Sequence, residues 1–302
     1  MTDGTPPLQQ RFGFVAIIGA PNAGKSTLVN QLAGSKISIV SHKVQTTRAR
    51  IRAILVEGDA QVVLVDTPGI FTPKRKLDTA MVDNAWAGAS EADAVIVLID
   101  ARRGMDEQAE RIIGHMKEQN RKAMLVINKT DLVRPEQLLP LSQKLNEAYA
   151  FTETFMVSAL TGSGVAKLKA RLAALMPEGP WHYPDDQVAD VNLRFLAAEI
   201  TREKIYERLH EELPYSSTVE TETWEEMKDG SVKIKQAIFV ARDGQKAIVV
   251  GKGGQMAKTL GQLARADMEL AFGRRVHLFL FVKVRENWAE DPERLRMMGL
   301  TL

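Results

Sequence analysis

Apolar runs and amphipathic stretches alternate along residues 11–176. Five runs are almost continuously apolar, which is typical of strands buried on both faces of a parallel sheet. They are Phe12 to Ile18, Gln61 to Asp66, Ala94 to Asp100, Ala123 to Asn128 and Thr154 to Ser158. The segments between them predict helices over Leu28 to Leu32, Met81 to Gly88, Gln108 to Glu118, Pro135 to Tyr149 and Val165 to Met176. This pattern predicts an α/β, doubly wound domain with a mostly parallel sheet.

The pattern changes after the segment 177–186, which holds three prolines and a glycine and so continues neither a helix nor a sheet ladder. The next segments predict a smaller α+β domain of order α-β-β-α-β, with a helix from about Val191 to His210, strands Ser217 to Thr223 and Ser231 to Ala241, a short run Lys246 to Val250, a helix Gln255 to Phe272 and a strand Arg275 to Val284. We therefore predict a flexible N-terminus over residues 1–10, a first domain over 11–176, a linker over 177–186 and a second domain over 187–302.

Composition narrows the class of protein. The 302 residues contain no cysteine, which excludes disulfides, thiolate catalysis and Cys-ligated metals and favours the reducing cytoplasm. Met1 to Arg11 lacks a signal-peptide pattern, and no apolar run approaches the ~20 residues of a membrane span. We therefore expect membrane contact to be peripheral at most. The net charge of +2 indicates no partner by itself, so nucleic-acid binding would need a local basic patch.

The first motif lies between the first predicted strand and the first predicted helix. Gly19, Ala20, Pro21, Asn22, Ala23, Gly24, Lys25 and Ser26 fit G-x-x-x-x-G-K-[ST], and Thr27 follows them. In such a loop the backbone N–H groups surround phosphates, the lysine reaches the outer phosphates and the serine hydroxyl binds Mg²⁺. The motif predicts a binding site for a nucleoside triphosphate.

Asp66, Thr67, Pro68 and Gly69 follow the second predicted strand. This position suits a carboxylate near the metal and a glycine N–H that meets the γ-phosphate. By itself the tetrapeptide is equally an ordinary turn. In the stretch Ile37 to Arg52, either Thr46 or Thr47 is the expected threonine ligand to Mg²⁺ and γ-phosphate, and we prefer Thr47. Lys25, Thr47 and Gly69 are the residues expected to act in catalysis.

Asn128, Lys129, Thr130 and Asp131 follow another buried strand. A carboxylate there accepts two hydrogen bonds from N1–H and the amino group of guanine, which adenine does not offer. The alternative is a helix entry capped by Asp131. Ser158, Ala159 and Leu160, after the fifth strand, offer backbone N–H groups to the guanine O6. The motif predicts selectivity for GTP and GDP.

The second domain contains Gly251, Lys252, Gly253 and Gly254, a G-x-x-G loop before a helix that carries Lys258. This loop is typical of the KH fold, where it lets a nucleic-acid backbone approach closely. A tight turn is the alternative. Residues 232–285 contain eleven Lys or Arg against three acidic residues, and this local excess favours RNA binding.

These motifs, with the Gln-Thr-Thr-Arg run at 45–48, resemble the Era family along the whole chain. The resemblance implies a GTPase with a C-terminal type II KH domain, Mg²⁺ as the metal and potassium as a further ion near Asn22, although Asn22 is equally a turn residue. It also implies binding to the 3′ end of 16S ribosomal RNA without DNA binding, and action as a monomer in 30S assembly, in the cytoplasm or at the inner face of the membrane. Ile70 stands where Ras-like switches place a water-orienting glutamine, so we expect slow intrinsic hydrolysis.

Two other functions fit the sequence. One is an RNA-binding module in which the nucleotide is structural, and it would show no turnover. The other is a GTPase whose partner is a membrane or a protein, with the basic patch facing anionic lipid. Salt-dependent binding to liposomes without preference for RNA would indicate the latter.

Overall fold

The structure is a computed structural model that describes residues 10–41, 43, 47–48, 51–73, 76–185, 187, 189–190, 192–286 and 288. The described chain forms two compact units. Unit 1 contains the described residues of 1–38, 47–74 and 81–190, and unit 2 contains those of 39–46, 75–80 and 191–302. None of the helices that the structure describes combines the length and the apolarity that crossing a bilayer requires.

Unit 1 is built on a six-stranded sheet of order β2-β3-β1-β4-β5-β6. Its strands are β1 (Arg11–Gly19), β2 (Ile51–Glu57), β3 (Ala60–Asp66), β4 (Ala94–Asp100), β5 (Met124–Asn128) and β6 (Thr154–Met156). All neighbours are parallel except β2 and β3, which are antiparallel. The sequence pattern found the five parallel strands and missed β2. That strand is antiparallel to β3 and forms no strand–helix–strand unit with it, and the exposed Arg52 interrupts its apolar run.

The described helices of the first part of the chain are α1 (Lys25–Ala33), α2 (Lys76–Glu91), α3 (Glu107–Glu118), α4 (Leu138–Ala148) and α5 (Val165–Leu175). All belong to unit 1 except the start of α2, since unit 1 resumes at residue 81. A 3₁₀ turn, Pro135–Gln137, precedes α4. Apolar residues of β1, β4 and β5 form one core cluster with α2 and α3. Because β1, β3, β4, β5 and β6 are parallel, the strand ends that carry the predicted motifs meet along the carboxyl edge of the sheet, where α/β proteins bind ligands.

The predicted linker 177–186 packs on unit 1, and unit 1 extends to Asp190. The buried side chain of Gln61 accepts hydrogen bonds from the backbone N–H groups of His182 and Tyr183, both at 3.0 Å, and donates one to the Tyr183 carbonyl at 2.8 Å. The His182 ring stacks on Phe12 with centroids 3.9 Å apart. One strand glutamine thus satisfies the backbone polar groups of residues 182 and 183, which keeps this segment against the sheet of unit 1.

Unit 2 has the order α-β-β-α-α-β: α6 (Leu193–Arg208), β7 (Ser217–Glu226), β8 (Val232–Val240), α7 (Asp243–Val250), α8 (Gln255–Phe272) and β9 (Val276–Val284). The strand β8 pairs antiparallel with β7 and parallel with β9. The short run before the glycine loop is therefore a helix, α7, and the predicted order lacked this element. Leu260 of α8 lies in the core, whereas Leu270 at its end is 84% exposed and does not.

Candidate functional site

The loop between β1 and α1 forms the turn that the first glycine motif predicts. Gly24 has a left-handed backbone with φ of 98°, and a Cβ atom there would lie 2.3 Å from Nδ2 of Asn128. Only glycine satisfies both conditions. Residues 19–24 precede the amino end of α1, and Ser26 and Thr27 lie in its first turn. Backbone N–H groups and the helix dipole favour phosphate at this position.

Lys25 holds its ammonium group inside this loop. Its side chain is buried, and Nζ donates to the carbonyl oxygens of Gly19 at 3.1 Å and Ala20 at 3.0 Å. Burial lowers the pKa of Lys25 to about 8, with the charge of Asp66 opposing the shift and that of Lys129 adding to it. A cation enclosed in this way interacts strongly with a phosphate oxygen, because solvent does not screen it.

Three predicted metal ligands from separate segments meet beside the loop. The hydroxyls of Ser26 and Thr47 are 2.9 Å apart, and that of Thr47 lies 3.4 Å from Oδ2 of Asp66. The carboxylate of Asp66 is fully buried, and its Oδ1 has no hydrogen-bond partner among the described residues. Burial raises the pKa of Asp66, and the Lys25 charge and hydrogen bonds from neighbouring hydroxyls oppose this shift. An unpartnered buried carboxylate oxygen beside two hydroxyls fits the oxygen ligands that Mg²⁺ requires. Thr46 lies outside the described residues.

The segment 66–69 runs close against the phosphate loop. A Cβ atom on Gly69 would lie 2.9 Å from the backbone of Pro21, so glycine permits this approach. The Thr67 hydroxyl donates to the Ile17 carbonyl at 2.8 Å and anchors the segment to β1. This contact directs the Thr67 side chain to the sheet. Ile70 is buried in the core, so its side chain does not reach a water molecule at the site. The catalytic roles of Lys25, Thr47 and Gly69 stay predictions.

Asn128 connects the predicted base-recognition motifs to the phosphate loop. Its Nδ2 donates to the Ala23 carbonyl and its Oδ1 accepts from the Ala159 N–H, both at 2.9 Å. The side chain is buried, so both bonds are shielded from solvent. Asn128 therefore fixes three loops relative to one another.

Lys129 makes a second connection of this kind. Its Nζ lies 2.5 Å from the Asn22 carbonyl and 2.7 Å from Oδ2 of Asp100, the last residue of β4. Burial by itself would raise the pKa of Asp100, but hydrogen bonds from Lys129 and Arg102 hold it below its ordinary value. The carboxylate therefore stays charged and holds the lysine against the phosphate loop.

The remaining predicted base contacts lie at the rim. Asp131 is exposed in a 3₁₀ turn, Thr130–Leu132, where its carboxylate can meet a ligand. Ser158 is buried and its hydroxyl accepts from the Thr161 N–H at 3.2 Å, so the serine shapes its own loop. Leu160 is 76% exposed. The structure thus places the residues of all three nucleotide motifs along one edge of unit 1.

The glycine loop of unit 2 joins α7 to α8. Gly251, Gly253 and Gly254 have φ angles of 73°, 60° and 78°, which favour glycine. Lys252 and Lys258 are exposed on the loop and on the first turns of α8. The loop therefore presents backbone and cations to solvent at a helix amino end, an arrangement suited to a nucleic-acid backbone.

The basic patch is smaller than the residue count indicated. Lys233, Arg274 and Lys283 form ion pairs with Glu225, Glu226 and Glu222 of β7. Among the described residues, no ion pair is formed by the cations that lie in or beside the glycine loop in sequence, Arg242, Lys246, Lys252 and Lys258, nor by Lys235, Arg265 and Arg275. The unpaired cations of this region thus include all four that lie in or beside the loop.

Two family models match the chain: 50S ribosome-binding GTPase over residues 14–129 and KH domain over residues 212–289. GTPase Era of Afipia carboxidovorans is 63% identical over 99% of this chain and 98% of its own length. GTPase Era of Brucella suis is 60% identical over 99% of both chains. The chain belongs to the Era family of GTPases. Membership of the Era family confirms the predicted GTPase activity and the predicted G and KH domains.

Solved Era structures share the fold of this chain. One is Era in complex with MgGDPNP and nucleotides 1506–1542 of 16S ribosomal RNA, and another is an Aquifex aeolicus Era variant bound to GDP and AlF₄⁻. Each has a TM-score of 0.91 and 38% identity, and the match covers 97% of this chain and 100% of the solved one. The Era fold therefore accounts for both units.

Two residues of this Era-family site were not found from the sequence. Asp100 pairs in register with Asn128 on the neighbouring strand, so its position at a strand end was an available signal. Ser38 donates to Oδ2 of Asp66 at 2.8 Å from an irregular segment, where no sequence pattern marks it. Both act on residues of the motifs.

Proposed function

We propose that this GTPase is a switch that binds the 3′ end of 16S ribosomal RNA through its KH domain and releases it after GTP hydrolysis, in the assembly and maturation of the 30S subunit. The observation that carries the proposal is that one chain contains two binding sites. One is the cluster of Ser26, Thr47 and Asp66, and the other is the exposed glycine loop with its cations. An Era relative binds both MgGDPNP and 16S ribosomal RNA.

In this proposal the nucleotide lies along the carboxyl edge of the unit 1 sheet. Residues 19–27 surround its phosphates, with Lys25 on the outer ones, and Asp131 selects guanine while the Ala159 N–H region receives O6. Ser26, Thr47 and Asp66 hold Mg²⁺, which supplies positive charge at the phosphate oxygens when bound. Asn128 and Lys129 act mainly by fixing these loops.

Hydrolysis converts GTP and water to GDP and phosphate. Lys25 and the Gly69 N–H stabilise charge on the transferred group, and Thr47 orders the loop that closes over it. Because the Ile70 side chain is buried, no side chain at that position orients water, and we expect a slow intrinsic rate. The rate then acts as a timer for the RNA-bound state.

In the KH domain, Gly251, Gly253 and Gly254 let the RNA backbone approach, and Lys252 and Lys258 bind its phosphates. Further expectations come from the resemblance alone: potassium near Asn22, a monomeric state, a cytoplasmic location and peripheral contact with the inner membrane. They stay predictions.

The test is GTP hydrolysis by the wild-type chain and by Lys25→Ala, in potassium and in sodium, with and without single-stranded RNA of the 16S 3′ end. A scrambled RNA of equal length and anionic liposomes are the controls. We expect slow turnover that Lys25→Ala abolishes and that only the matching RNA accelerates.

Other outcomes would contradict the proposal. Binding of GTP without turnover in any condition would make the nucleotide structural. Stimulation by anionic liposomes, and not by RNA, would assign the basic patch to a membrane surface.

A further inference from the structure

The buried hydroxyl of Ser38 lies in the metal site and belongs to none of the sequence motifs. Its side chain is fully buried, and Oγ donates to Oδ2 of Asp66 at 2.8 Å. This bond is shorter than the 3.4 Å contact of Thr47 with the same oxygen. Since Oδ2 is occupied, Oδ1 remains the acceptor without a protein partner among the described residues. The serine thus determines which carboxylate oxygen is available to a cation.

Asn30 holds Ser38 in place with three hydrogen bonds. Its Oδ1 accepts from the N–H groups of Ile37 at 2.9 Å and Ser38 at 2.8 Å, and its Nδ2 donates to the Ser38 carbonyl at 2.7 Å. Ser26 and Asn30 are four residues apart in α1, so they lie on one face of the helix. One face of α1 therefore carries Ser26, whose hydroxyl lies in the metal site, and Asn30, which holds Ser38 beside the same site.

Ser38 and Thr47 share one acceptor atom. Both hydroxyls lie within hydrogen-bond distance of the same oxygen, Oδ2 of Asp66, although eight residues separate them in the chain. A single buried carboxylate oxygen is therefore the acceptor for both hydroxyls. A change at this carboxylate must act on both residues.

We propose that Ser38, held by Asn30, is a positioning residue for the Mg²⁺ site: it fixes the Asp66 carboxylate so that Oδ1 faces the cation. The proposal rests on the proposed function, because it takes Asp66 as a carboxylate of the Mg²⁺ site. Groups that orient a metal ligand in this way typically change metal affinity about 10- to 100-fold when they are removed.

The test measures affinity for fluorescently labelled GDP and its dissociation rate in the full chain as Mg²⁺ is titrated, with an EDTA arm. For Ser38→Ala we expect the Mg²⁺ concentration for half-maximal slowing of GDP release to rise about tenfold. GDP affinity in EDTA should stay within about twofold of wild type, because the metal contributes nothing there. Asn30→Ala should shift the Mg²⁺ titration in the same direction.

Ser35→Ala is the matched control. Ser35 belongs to the same segment, and its buried hydroxyl has no hydrogen-bond partner among the described residues. The substitution removes the same atom without removing a bond, so the Mg²⁺ titration should be unchanged. A shift equal to that of Ser38→Ala would overturn the proposal, as would an equal loss of GDP affinity with and without Mg²⁺, which indicates a merely structural role.

Asp66→Asn separates this inference from the proposed function. If Asp66→Asn abolishes the Mg²⁺ dependence and Ser38→Ala leaves it unchanged, only the role of Ser38 is wrong. If neither variant alters the Mg²⁺ dependence, the assignment of the metal site itself is wrong. A shift in both supports the proposal.

Discussion

Replacing Asp100 by asparagine tests whether the lysine of the guanine motif depends on its carboxylate partner. The Asp100 side chain is 3% exposed and that of Lys129 is 21% exposed, and they are 2.7 Å apart. A hydrogen bond to a charged group contributes about 1.5–3 kcal/mol when it is shielded. Because asparagine keeps an acceptor oxygen and loses the charge, we expect part of this energy to remain and about 1–2 kcal/mol to be lost.

This loss corresponds to roughly 5- to 30-fold weaker nucleotide binding, since 1.4 kcal/mol is tenfold. GDP and GTP should weaken by the same factor, because Lys129 connects the guanine motif to the phosphate loop and lies apart from the Gly69 and Thr47 groups expected at the γ-phosphate. The rate of hydrolysis at saturating GTP should therefore stay near the wild-type value. Isothermal titration calorimetry with GDP and a non-hydrolysable GTP analogue measures both affinities.

Arg102→Ala is the matched control for Asp100→Asn. Arg102 pairs with the same carboxylate at 3.4 Å, but its side chain is 52% exposed. Exposed pairs contribute about 0–1 kcal/mol, so this variant should weaken binding less than about fivefold. Equal effects of the two variants, or a loss confined to GTP, would refute the reasoning.

Other changes follow from the same contacts. Asp131→Asn should lower GTP affinity by on the order of 10⁴-fold, because the new amide N–H faces the 2-amino group of guanine and both are donors. Xanthosine triphosphate, which has an acceptor oxygen at that position, should bind better, and competition binding with both nucleotides measures this. Lys252→Ala should weaken RNA binding and reduce its salt slope by about one while leaving GTP binding unchanged, as anisotropy titrations at several salt concentrations would show. Gln61→Leu removes three hydrogen bonds to residues 182 and 183 and should cost about 2–4 kcal/mol of unfolding free energy in a denaturant titration, against less than about 1 kcal/mol for the exposed Arg52→Ala. The pKa of Asp100 is lowered in the folded protein, so its stabilising effect is present above the unfolded value of about 3.9 and is lost as the pH falls through the lower folded value. The free energies of unfolding of wild type and Asp100→Asn should therefore differ at neutral pH and converge in acid below about pH 4.

Much of the nucleotide site could be predicted because its residues belong to short motifs that follow buried strands. A strand such as β3, buried along its whole length, has a clear apolar pattern, and its end fixes the position of Asp66. The G-x-x-G loop was found for a different reason: its glycines need backbone conformations that other residues avoid. Local sequence determines these features.

Features that depend on contacts distant in the chain could not be predicted. The edge strand β2 was missed because it forms an antiparallel hairpin with β3 and so stands outside the alternation of strands and helices that marks the five parallel strands. The segment after Pro177 has a linker composition, yet Gln61, more than 120 positions earlier, satisfies its backbone. Ser38 has no motif around it, and its role depends on a buried carboxylate 28 residues away. Leu270 fits helical spacing but lies at the exposed end of α8.

Coupling between the two units is the central claim, and the affinity of the full chain for RNA in each nucleotide state tests it most directly. Labelled single-stranded RNA of the 16S 3′ end is titrated with the Mg²⁺-bound protein in GDP and in a non-hydrolysable GTP analogue, with Gly253→Asp as the variant that blocks the KH loop. The account predicts tighter binding in the GTP-analogue state by about tenfold, a coupling within the 1–3 kcal/mol range of allosteric proteins, and little binding by the variant in either state. Equal affinity of the wild type in both nucleotide states would contradict the account, because the GTPase and the KH domain would then act independently.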